Sequence, residues 1–300
     1  MSPATGSVRV ASVQFAAQAT ATGDAFFDRI ATYVRSAGDY GADFVCFPEH
    51  FTLQLLSAAP TMVPADEAIH RLTEYTPRLK ERLSALAKEH SVNIVGGSHA
   101  TVLENGEAHN ITYVALRDGT LHARHKLHPT PDEKAVWNIQ GGESAEPVET
   151  DRGQVGVMIC YDSEFPELGR HLTDAGAKLF FVPYCTDTRH GHLRVRYCCH
   201  ARAVENQMYV ITSGVVGNLP KVDNMNVHYA ESAIITPCDI PFSRDGVAAD
   251  TAPNTEMVAV ADLRLTDLRF ARRQGHVRNY LDRRFDLYRL VWRGGLEREK

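Results

Sequence analysis

Short apolar segments alternate with amphipathic segments along most of the chain, and this alternation limits the possible folds more than any other feature of the sequence. In the first half, apolar runs bounded by turn residues predict strands at 8–15, 43–47, 92–97, 111–117 and 120–126. Helical periodicity between the first three strands predicts helices at about 24–37 and 66–89. The segment RDGT between the last two strands is typical of a hairpin turn.

The second half of the chain repeats this order of elements. Its apolar runs predict strands at 155–159, 178–182, 208–214, 230–236 and 256–262. Helices are predicted at about 166–175 and 191–206. On the longer helix, spacings of three and four predict one buried stripe, formed by Leu193, Tyr197, Ala201, Val204 and Met208.

Two octapeptides support a fold made of two similar halves. GADFVCFP at 41–48 and GAKLFFVP at 176–183 share a Gly-Ala start, an apolar strand and a final proline. Alternating strands and helices imply sheets with helices outside, and strands without polar alternation are buried on both faces. We therefore predict an α/β fold, a four-layer α-β-β-α sandwich, with 1–300 as one domain and its core at about 7–262.

Charge and composition narrow the classes of function. A net charge of −5 gives no sign of a nucleic-acid surface, and no apolar run approaches the roughly 18 residues of a membrane span. The N-terminus lacks the pattern of a signal peptide. The six cysteines form no CxxC pair, which argues against a disulfide framework or a zinc ribbon. We expect a cytoplasmic protein with neither nucleic acid nor membrane as a partner.

Side chains that could act in catalysis lie where predicted strands end. Glu49 follows one strand, Cys160 follows another, Lys126 ends the hairpin, and 184–189 follow the strand at 178–182. Sites in open α/β sheets form beyond the carboxyl ends of strands, so we expect these groups to share one rim. Taken singly, the thiol could equally be a buried hydrophobe, the glutamate a capping residue and the lysine an edge-strand residue that blocks aggregation.

Together, a carboxylate, an ammonium and a thiol are sufficient for acyl transfer through a thioester. Glu49 can remove the proton of the Cys160 thiol, which is mostly protonated at neutral pH. Lys126 and the backbone N–H of Tyr161 can stabilise the negative oxygen of a tetrahedral intermediate. Three histidines at 122, 125 and 128 suggest a metal site, but their spacing suits a helix and the local pattern predicts a strand followed by a proline loop. We expect no metal there.

Four motifs in order resemble the nitrilase, or carbon–nitrogen hydrolase, superfamily. FPEHF surrounds Glu49, HKLHPTPDE contains Lys126, CYDSEFPE begins at Cys160, and RVRYCCHARAVENQMYVI resembles the helix-to-strand segment of that family. The resemblance implies an αββα sandwich, Glu49 as general base, Lys126 as oxyanion stabiliser and Cys160 as nucleophile. It also implies that the enzyme uses no metal and no organic cofactor.

Further roles rest on the same resemblance. Glu133, seven residues after Lys126, is similar to a second glutamate that the family places beside the lysine. Two further segments, FTLQLLS and VPYCTDTRHGHLRVRYC, resemble a poorly characterised branch of the family that is sometimes fused to an acetyltransferase domain. Because this chain starts directly with its first strand, we expect no fused domain here. CYD followed by FPE resembles the amidase-type branches, which favours amide over nitrile hydrolysis.

The substrate-binding residues are less constrained by the sequence. We expect the substrate to contact Tyr161, Phe51, Tyr184 and Arg189. Arg189 could bind a carboxylate of the substrate through two hydrogen bonds. The alternative is that Arg189 is an ordinary surface arginine. The arginine- and aromatic-rich tail at 263–300 is expected to pack on a partner subunit, since exposed aromatics are unusual in monomers and the family forms dimers and larger homo-oligomers.

The function predicted from these observations is cysteine-dependent hydrolysis of a small carboxamide to a carboxylic acid and ammonia. A hydrolase of N-carbamoyl amines and a nitrilase are the alternatives among enzymes. A non-catalytic binding or scaffold protein is the alternative of another class, and the intact set of Glu49, Lys126 and Cys160 counts against it.

Overall fold

The computed structural model describes residues 6–222 and 225–293. Its first half contains strands and helices in alternation, followed by a group of strands. The elements are β1 (Ser7–Ala17), α1 (Gly23–Asp39), β2 (Phe44–Cys46), a 3₁₀ helix (Phe51–Ala58), α2 (Ala65–Thr73), α3 (Thr76–Glu89), β3 (Asn93–Val95), β4 (His99–Val102), β5 (Ala108–Ala115), β6 (Leu121–His125), α4 (Pro131–Trp137) and β7 (Ile139–Gln140).

The second half repeats the alternation and ends in a helix. Its elements are β8 (Val155–Val157), a 3₁₀ helix (Cys160–Glu164), α5 (Pro166–Asp174), β9 (Leu179–Tyr184), α6 (Arg189–Asn206), β10 (Tyr209–Gly217), β11 (Ala233–Ile235), β12 (Val247–Asp250), β13 (Met257–Arg264) and α7 (Leu265–Gln274).

Each half contributes a sheet, and the two sheets join at one end. In the first half, β1, β2 and β3 are parallel neighbours, and β5 pairs antiparallel with β3, β4 and β6. In the second half, β8, β9 and β10 are parallel, with β11 and β12 antiparallel at the edge. The junction is a parallel pairing of 15–17 in β1 with 215–217 in β10.

Three apolar clusters confirm the predicted four-layer α-β-β-α sandwich. One cluster lies between the sheets and includes Phe44 and Phe181, whose ring centroids are 5.2 Å apart. A second fills the space between the first sheet and α1, α2 and α3, and a third lies between the second sheet and α5 and α6. Both sheets are therefore covered on both faces, which explains why their central strands lack polar alternation.

Two predicted elements differ in the structure. The single helix predicted at 66–89 is wrong: α2 ends at Thr73 and α3 begins at Thr76, because Pro77, in the first turn of α3, has no N–H to donate to the preceding turn. The strand predicted at 256–262 is present, but it pairs with the first half of the chain. As β13, it crosses back and pairs antiparallel with β1 from Gln14–Met257 to Ser7–Arg264, which protects the free edge of β1.

The predicted stripe on the second-half helix is also wrong. Tyr197 is exposed, and the buried residues of α6 include Val195, Cys199 and Ala203. The helix also buries His192 and Arg202, which pure hydrophobic periodicity assigns to the solvent side. Arg202 donates to the backbone oxygen of Ser163 at 3.0 Å. Hydrogen bonds of polar side chains therefore help determine which face of α6 is buried.

The tail after α7 runs along α5 of its own chain. Tyr280 donates its hydroxyl to Asp174 at 3.0 Å, Arg283 donates to the same carboxylate at 2.8 Å, and the Trp292 ring stacks on His171 with centroids 4.1 Å apart. Several apolar side chains of this tail remain exposed: Leu281, Phe285, Leu287 and Tyr288. Packing of the tail on a partner subunit stays a prediction, and 294–300 lie outside the described residues.

Candidate active site

The first site residue, Glu49, is held in a sharp turn after β2. His50 adopts a left-handed backbone with φ of 55°, and the 3₁₀ helix begins at the next residue. The turn rests against Gly97, where an added Cβ would lie 2.2 Å from the Pro48 oxygen, so only glycine fits there. Ser98 donates its backbone N–H to the same oxygen at 3.2 Å. This packing leaves Glu49 with only 2% of its surface exposed.

Lys126 follows β6 and lies between two carboxylates. Its ammonium donates to Glu49 Oε1 at 2.7 Å and to Glu133 Oε2 at 2.6 Å, and the side chain is 1% exposed. Glu133 is the third residue of α4 and forms a capping box with Thr130: the glutamate accepts the Thr130 N–H at 2.8 Å, and Thr130 Oγ1 accepts the Glu133 N–H. The structure thus brings together the lysine and both predicted glutamates.

The charges of this group are mutually stabilising. Burial opposes the charged form of Lys126, but the carboxylates of Glu49 and Glu133 outweigh burial and raise the lysine pKa above its usual value. Burial likewise opposes ionisation of Glu133, but the Lys126 ammonium, with a smaller effect from His50, lowers its pKa below the usual range. The lysine is therefore a fixed cation, and Glu133 is a fixed anion.

Two residues of the site were not predicted from the sequence. Asn110, in β5, donates Nδ2 to Glu49 Oε1 at 3.1 Å and to Glu133 Oε1 at 2.9 Å. His50 Nε2 lies 3.0 Å from Glu133 Oε1, and its ring packs edge-on against Trp137. A buried asparagine within an apolar strand was the available signal for Asn110, since buried amides are nearly always hydrogen-bonded.

Cys160 lies at the turn that follows β8. Its backbone is left-handed with φ of 49°, a strained geometry for a residue with a side chain and one that concentrates at functional sites. The thiol is 6% exposed and donates to the Cys185 oxygen at 3.8 Å. The same Cys185 donates its backbone N–H to Glu49 Oε2 at 3.0 Å. Cys185 therefore contacts the Cys160 thiol through its C=O and the Glu49 carboxylate through its N–H.

The electrostatic surroundings of Cys160 keep it protonated at rest. Burial and the nearby Glu49 carboxylate raise its pKa well above the ordinary thiol value, and the Lys126 ammonium lowers it only in part. A neutral thiol needs a base at the moment of attack, and Glu49 is the carboxylate beside it. Glu49, Lys126 and Cys160 are thus buried close to one another.

The donor set at this site includes possible metal ligands. Glu49, His50 and Glu133 offer ligand atoms within 4.8 Å of one another. The Lys126 ammonium lies between the two carboxylates and bonds to both, so a cation already occupies the space that a metal would take. Of the three histidines considered from the sequence, His125 packs against His109 and His128 points Nδ1 at Asp162 at 2.8 Å.

The predicted substrate-binding residues lie in different surroundings. Tyr161 is half-buried beside Phe165 in the 3₁₀ helix that starts at Cys160. Phe51 is fully buried and stacks on Phe47 within the apolar cluster between the first sheet and α1, α2 and α3. Tyr184 is buried with its hydroxyl bonded to the Glu231 N–H at 3.1 Å, and Arg189 is exposed at the first turn of α6. Their contact with substrate stays a prediction.

Within 6–222 and 225–293, no helix combines the length and apolarity that crossing a bilayer requires.

Comparison with known proteins gives matches along nearly the whole chain. The family model "Carbon-nitrogen hydrolase" matches residues 9–273. The probable hydrolase YhcX of Bacillus subtilis is 45% identical over 286 residues, which cover 95% of this chain and 55% of YhcX. A deaminated glutathione amidase of Synechocystis sp. is 30% identical over 189 residues, or 59% of this chain and 66% of the relative. The chain thus spans between about half and two thirds of these relatives' lengths.

Solved structures show the same fold. An amidase from Nesterenkonia sp. AN1, described as a mutant with the acetamide moiety of fluoroacetamide added covalently at the active-site cysteine, superposes with a TM-score of 0.73 at 20% identity, covering 96% of this chain and 97% of that one. At this identity the superposition supports the fold alone. The family model, which matches most of the chain, carries the assignment further: this chain belongs to the carbon–nitrogen hydrolase family.

Proposed function

We propose that this protein hydrolyses a small carboxamide to a carboxylic acid and ammonia through an acyl-thioester on Cys160. The observation that carries the proposal is the Lys126 ammonium held between Glu49 and Glu133, close to the buried Cys160 thiol. A cation, a base and a nucleophile in one poorly hydrated site are the groups that acyl transfer needs.

In the first step, the Cys160 sulfur bonds to the amide carbon while its proton moves to Glu49. The carbonyl π electrons move onto oxygen, and the Lys126 ammonium stabilises the resulting negative charge. The Tyr161 N–H, in the first turn of the 3₁₀ helix, is the second donor that we assign to this oxygen. Loss of one such donor typically costs about 2.7–4 kcal/mol of transition-state stabilisation.

In the second step, the tetrahedral intermediate collapses and the carbon–nitrogen bond breaks. Glu49 gives its proton to the nitrogen, which leaves as ammonia, and the acyl group stays on sulfur. Glu49 then takes a proton from water as the hydroxide adds to the thioester. The carbon–sulfur bond breaks, the acid leaves, and the thiol recovers its proton. Glu133 stays ionised throughout and keeps Lys126 oriented.

The comparisons support an amide as the substrate class. The matched Synechocystis relative is named for amidase activity, and the Nesterenkonia amidase carries an acetamide moiety on its active-site cysteine. N-carbamoyl amines and nitriles are alternative substrates for the same residues, and a non-catalytic scaffold is the alternative of another class. A cytoplasmic location and a homodimeric or larger assembly remain predictions.

Ammonia release from a panel of short amides, carbamoyl amines and nitriles tests the proposal. The wild-type protein is expected to release ammonia from at least one amide, and Cys160→Ala is expected to release none. Cys198→Ala, at a partly exposed cysteine on α6, is the matched control and should retain activity. Equal ammonia release by wild type and Cys160→Ala would contradict the mechanism, and release from nitriles alone would favour the nitrilase alternative.

A further inference from the structure

Asp162 lies two residues after the nucleophile, and its carboxylate collects N–H groups from two distant segments. Its side chain is 2% exposed. Oδ1 accepts the backbone N–H of His128 at 2.9 Å and that of Leu127 at 3.2 Å, and lies 2.8 Å from His128 Nδ1. Oδ2 accepts the Ile159 N–H at 3.1 Å and shares the Leu127 N–H, at 3.3 Å, with Oδ1.

These donors flank the two catalytic positions. Leu127 and His128 directly follow Lys126, and Ile159 directly precedes Cys160. The strands that lead to the two positions belong to different sheets: β6 pairs with β5, while β8 pairs with β9. No pairing between β6 and β8 is present in the described residues, so the strand ladders do not fix the lysine against the thiol.

We propose that Asp162 is a positioning residue that ties the peptide after Lys126 to the peptide before Cys160 and so sets the separation of ammonium and thiol. This inference rests on the proposed function, because it assigns Asp162 a role in the same reaction. Asp162 does not touch the reacting atoms; it acts through the two backbone segments that it joins.

The side chain of His128 also takes part in this connection between the two segments. Its ring stacks on Phe165 with centroids 3.7 Å apart and planes 9° from parallel. Phe165 in turn donates its backbone N–H to the backbone carbonyl oxygen of Asp162 at 3.3 Å. The stack fixes the direction of Nδ1 toward the carboxylate, so ring and carboxylate orient one another.

A carboxylate suits this position better than its neutral isostere. Both oxygens of Asp162 accept hydrogen bonds, whereas asparagine has one acceptor oxygen and an NH₂ group. In Asp162→Asn, the NH₂ must face either the Ile159 N–H or the donors of Leu127 and His128. The substitution therefore breaks one half of the link at nearly constant side-chain volume.

The test compares Asp162→Asn with Asp174→Asn, a carboxylate that bonds Tyr280 and Arg283 on the outer layer. Two rates are measured: formation of the acyl adduct on Cys160 from a reactive amide, and alkylation of Cys160 by iodoacetamide as a function of pH. For Asp162→Asn we expect acylation to slow by about 100-fold, the loss that a displacement of roughly 1 Å produces. We also expect a higher apparent thiol pKa, because the ammonium moves away from the sulfur.

Asp174→Asn should leave both rates at the wild-type level. A folded Asp162→Asn protein with the wild-type acylation rate and alkylation profile would overturn the inference. If Asp162→Asn does not fold, His128→Phe decides the question, because it keeps a ring on Phe165 but removes the Nδ1 contact. Acylation should then fall several-fold at an unchanged melting temperature, and an unchanged rate would overturn the inference. Failure of the proposed function is a different result, in which wild type itself forms no acyl adduct.

Discussion

The Lys126 ammonium donates to Glu49 Oε1 over 2.7 Å although the two residues are 77 positions apart and both are buried. Taking a lysine and a carboxylate out of water costs several kcal/mol per ion, and an apolar pair of similar size is often as stable. The protein keeps the ion pair where the thiol lies, which is where a fixed cation and a base serve the proposed chemistry.

Removal of the lysine is expected to destabilise the protein strongly. Lys126→Met leaves Glu49 and Glu133 buried without their shared cation, and loss of one member of a buried ion pair typically costs about 3–5 kcal/mol. Urea unfolding measures the change in the free energy of unfolding. The double variant Lys126→Met/Glu133→Gln should recover part of the loss, because it also removes one of the two orphaned charges. A double variant whose loss equals the sum of the two single losses would contradict the coupling.

Asn110→Asp is expected to disable the site with little change in side-chain size. Asn110 donates to both Glu49 and Glu133, and an aspartate there would face two carboxylates with no proton to donate. We expect a loss of about 1–3 kcal/mol in unfolding free energy and of most activity at neutral pH. Asn105→Asp, on the exposed turn before β5, serves as the control for the charge change and should behave like wild type. Full activity of Asn110→Asp would contradict a role for the hydrogen bonds that Asn110 donates to Glu49 and Glu133.

Glu49→Gln is expected to have opposite effects on two reactions of Cys160. Burial is the largest cause of the high thiol pKa and Glu49 the next, with Lys126 acting against them. Replacement of Glu49 by a neutral amide should therefore lower the thiol pKa and speed alkylation by iodoacetamide near pH 8. Hydrolysis of amides should fall by a factor of about 100 or more, because the substitution removes the proposed general base. A thiol pKa that rises in this variant would contradict the electrostatic account.

The acid stability of the protein should depend on Glu133. Burial opposes its ionisation, but Lys126 and His50 more than compensate, so the folded-state pKa lies below the unfolded value of about 4.3. A lowered pKa contributes stability that is present above the unfolded pKa and is lost as the pH falls toward the folded pKa. Wild type should therefore lose more unfolding free energy between about pH 5 and pH 2 than Glu133→Gln does. If the unfolding free energies of wild type and Glu133→Gln changed with pH in parallel, the lowered pKa assigned to Glu133 would be contradicted.

Much of the fold followed from local patterns, and the differences have identifiable causes. The buried strands and their order along the chain were predicted because continuous apolar runs bounded by turns mark them. The return of β13 to β1 was not predicted, because edge pairing depends on which sheet edge is free after the rest has folded. Pro77 was the available signal for the break between α2 and α3, because it has no N–H to continue a helix, but the prediction gave more weight to the hydrophobic periodicity.

The site was predictable to the extent that its residues lie at strand ends or in recognisable motifs. Glu49, Lys126 and Cys160 end three strands, and Glu133 carries the capping-box signal TPDE. Asn110 was missed because it lies in mid-strand, where only the fold reveals that its amide faces two carboxylates. The buried surroundings of Tyr184 and Phe51 likewise depend on tertiary packing that no local pattern encodes.

The most direct test of the central claim is the mass of the protein during turnover. Wild type is mixed with a panel of small amides, quenched in acid within milliseconds to seconds, and analysed by intact-mass and peptide mass spectrometry. We predict a mass increase equal to one acyl group, located on the peptide that contains Cys160, absent in Cys160→Ala and retained in Cys198→Ala. Ammonia release without any adduct on Cys160, or with the same adduct in Cys160→Ala, would contradict the account.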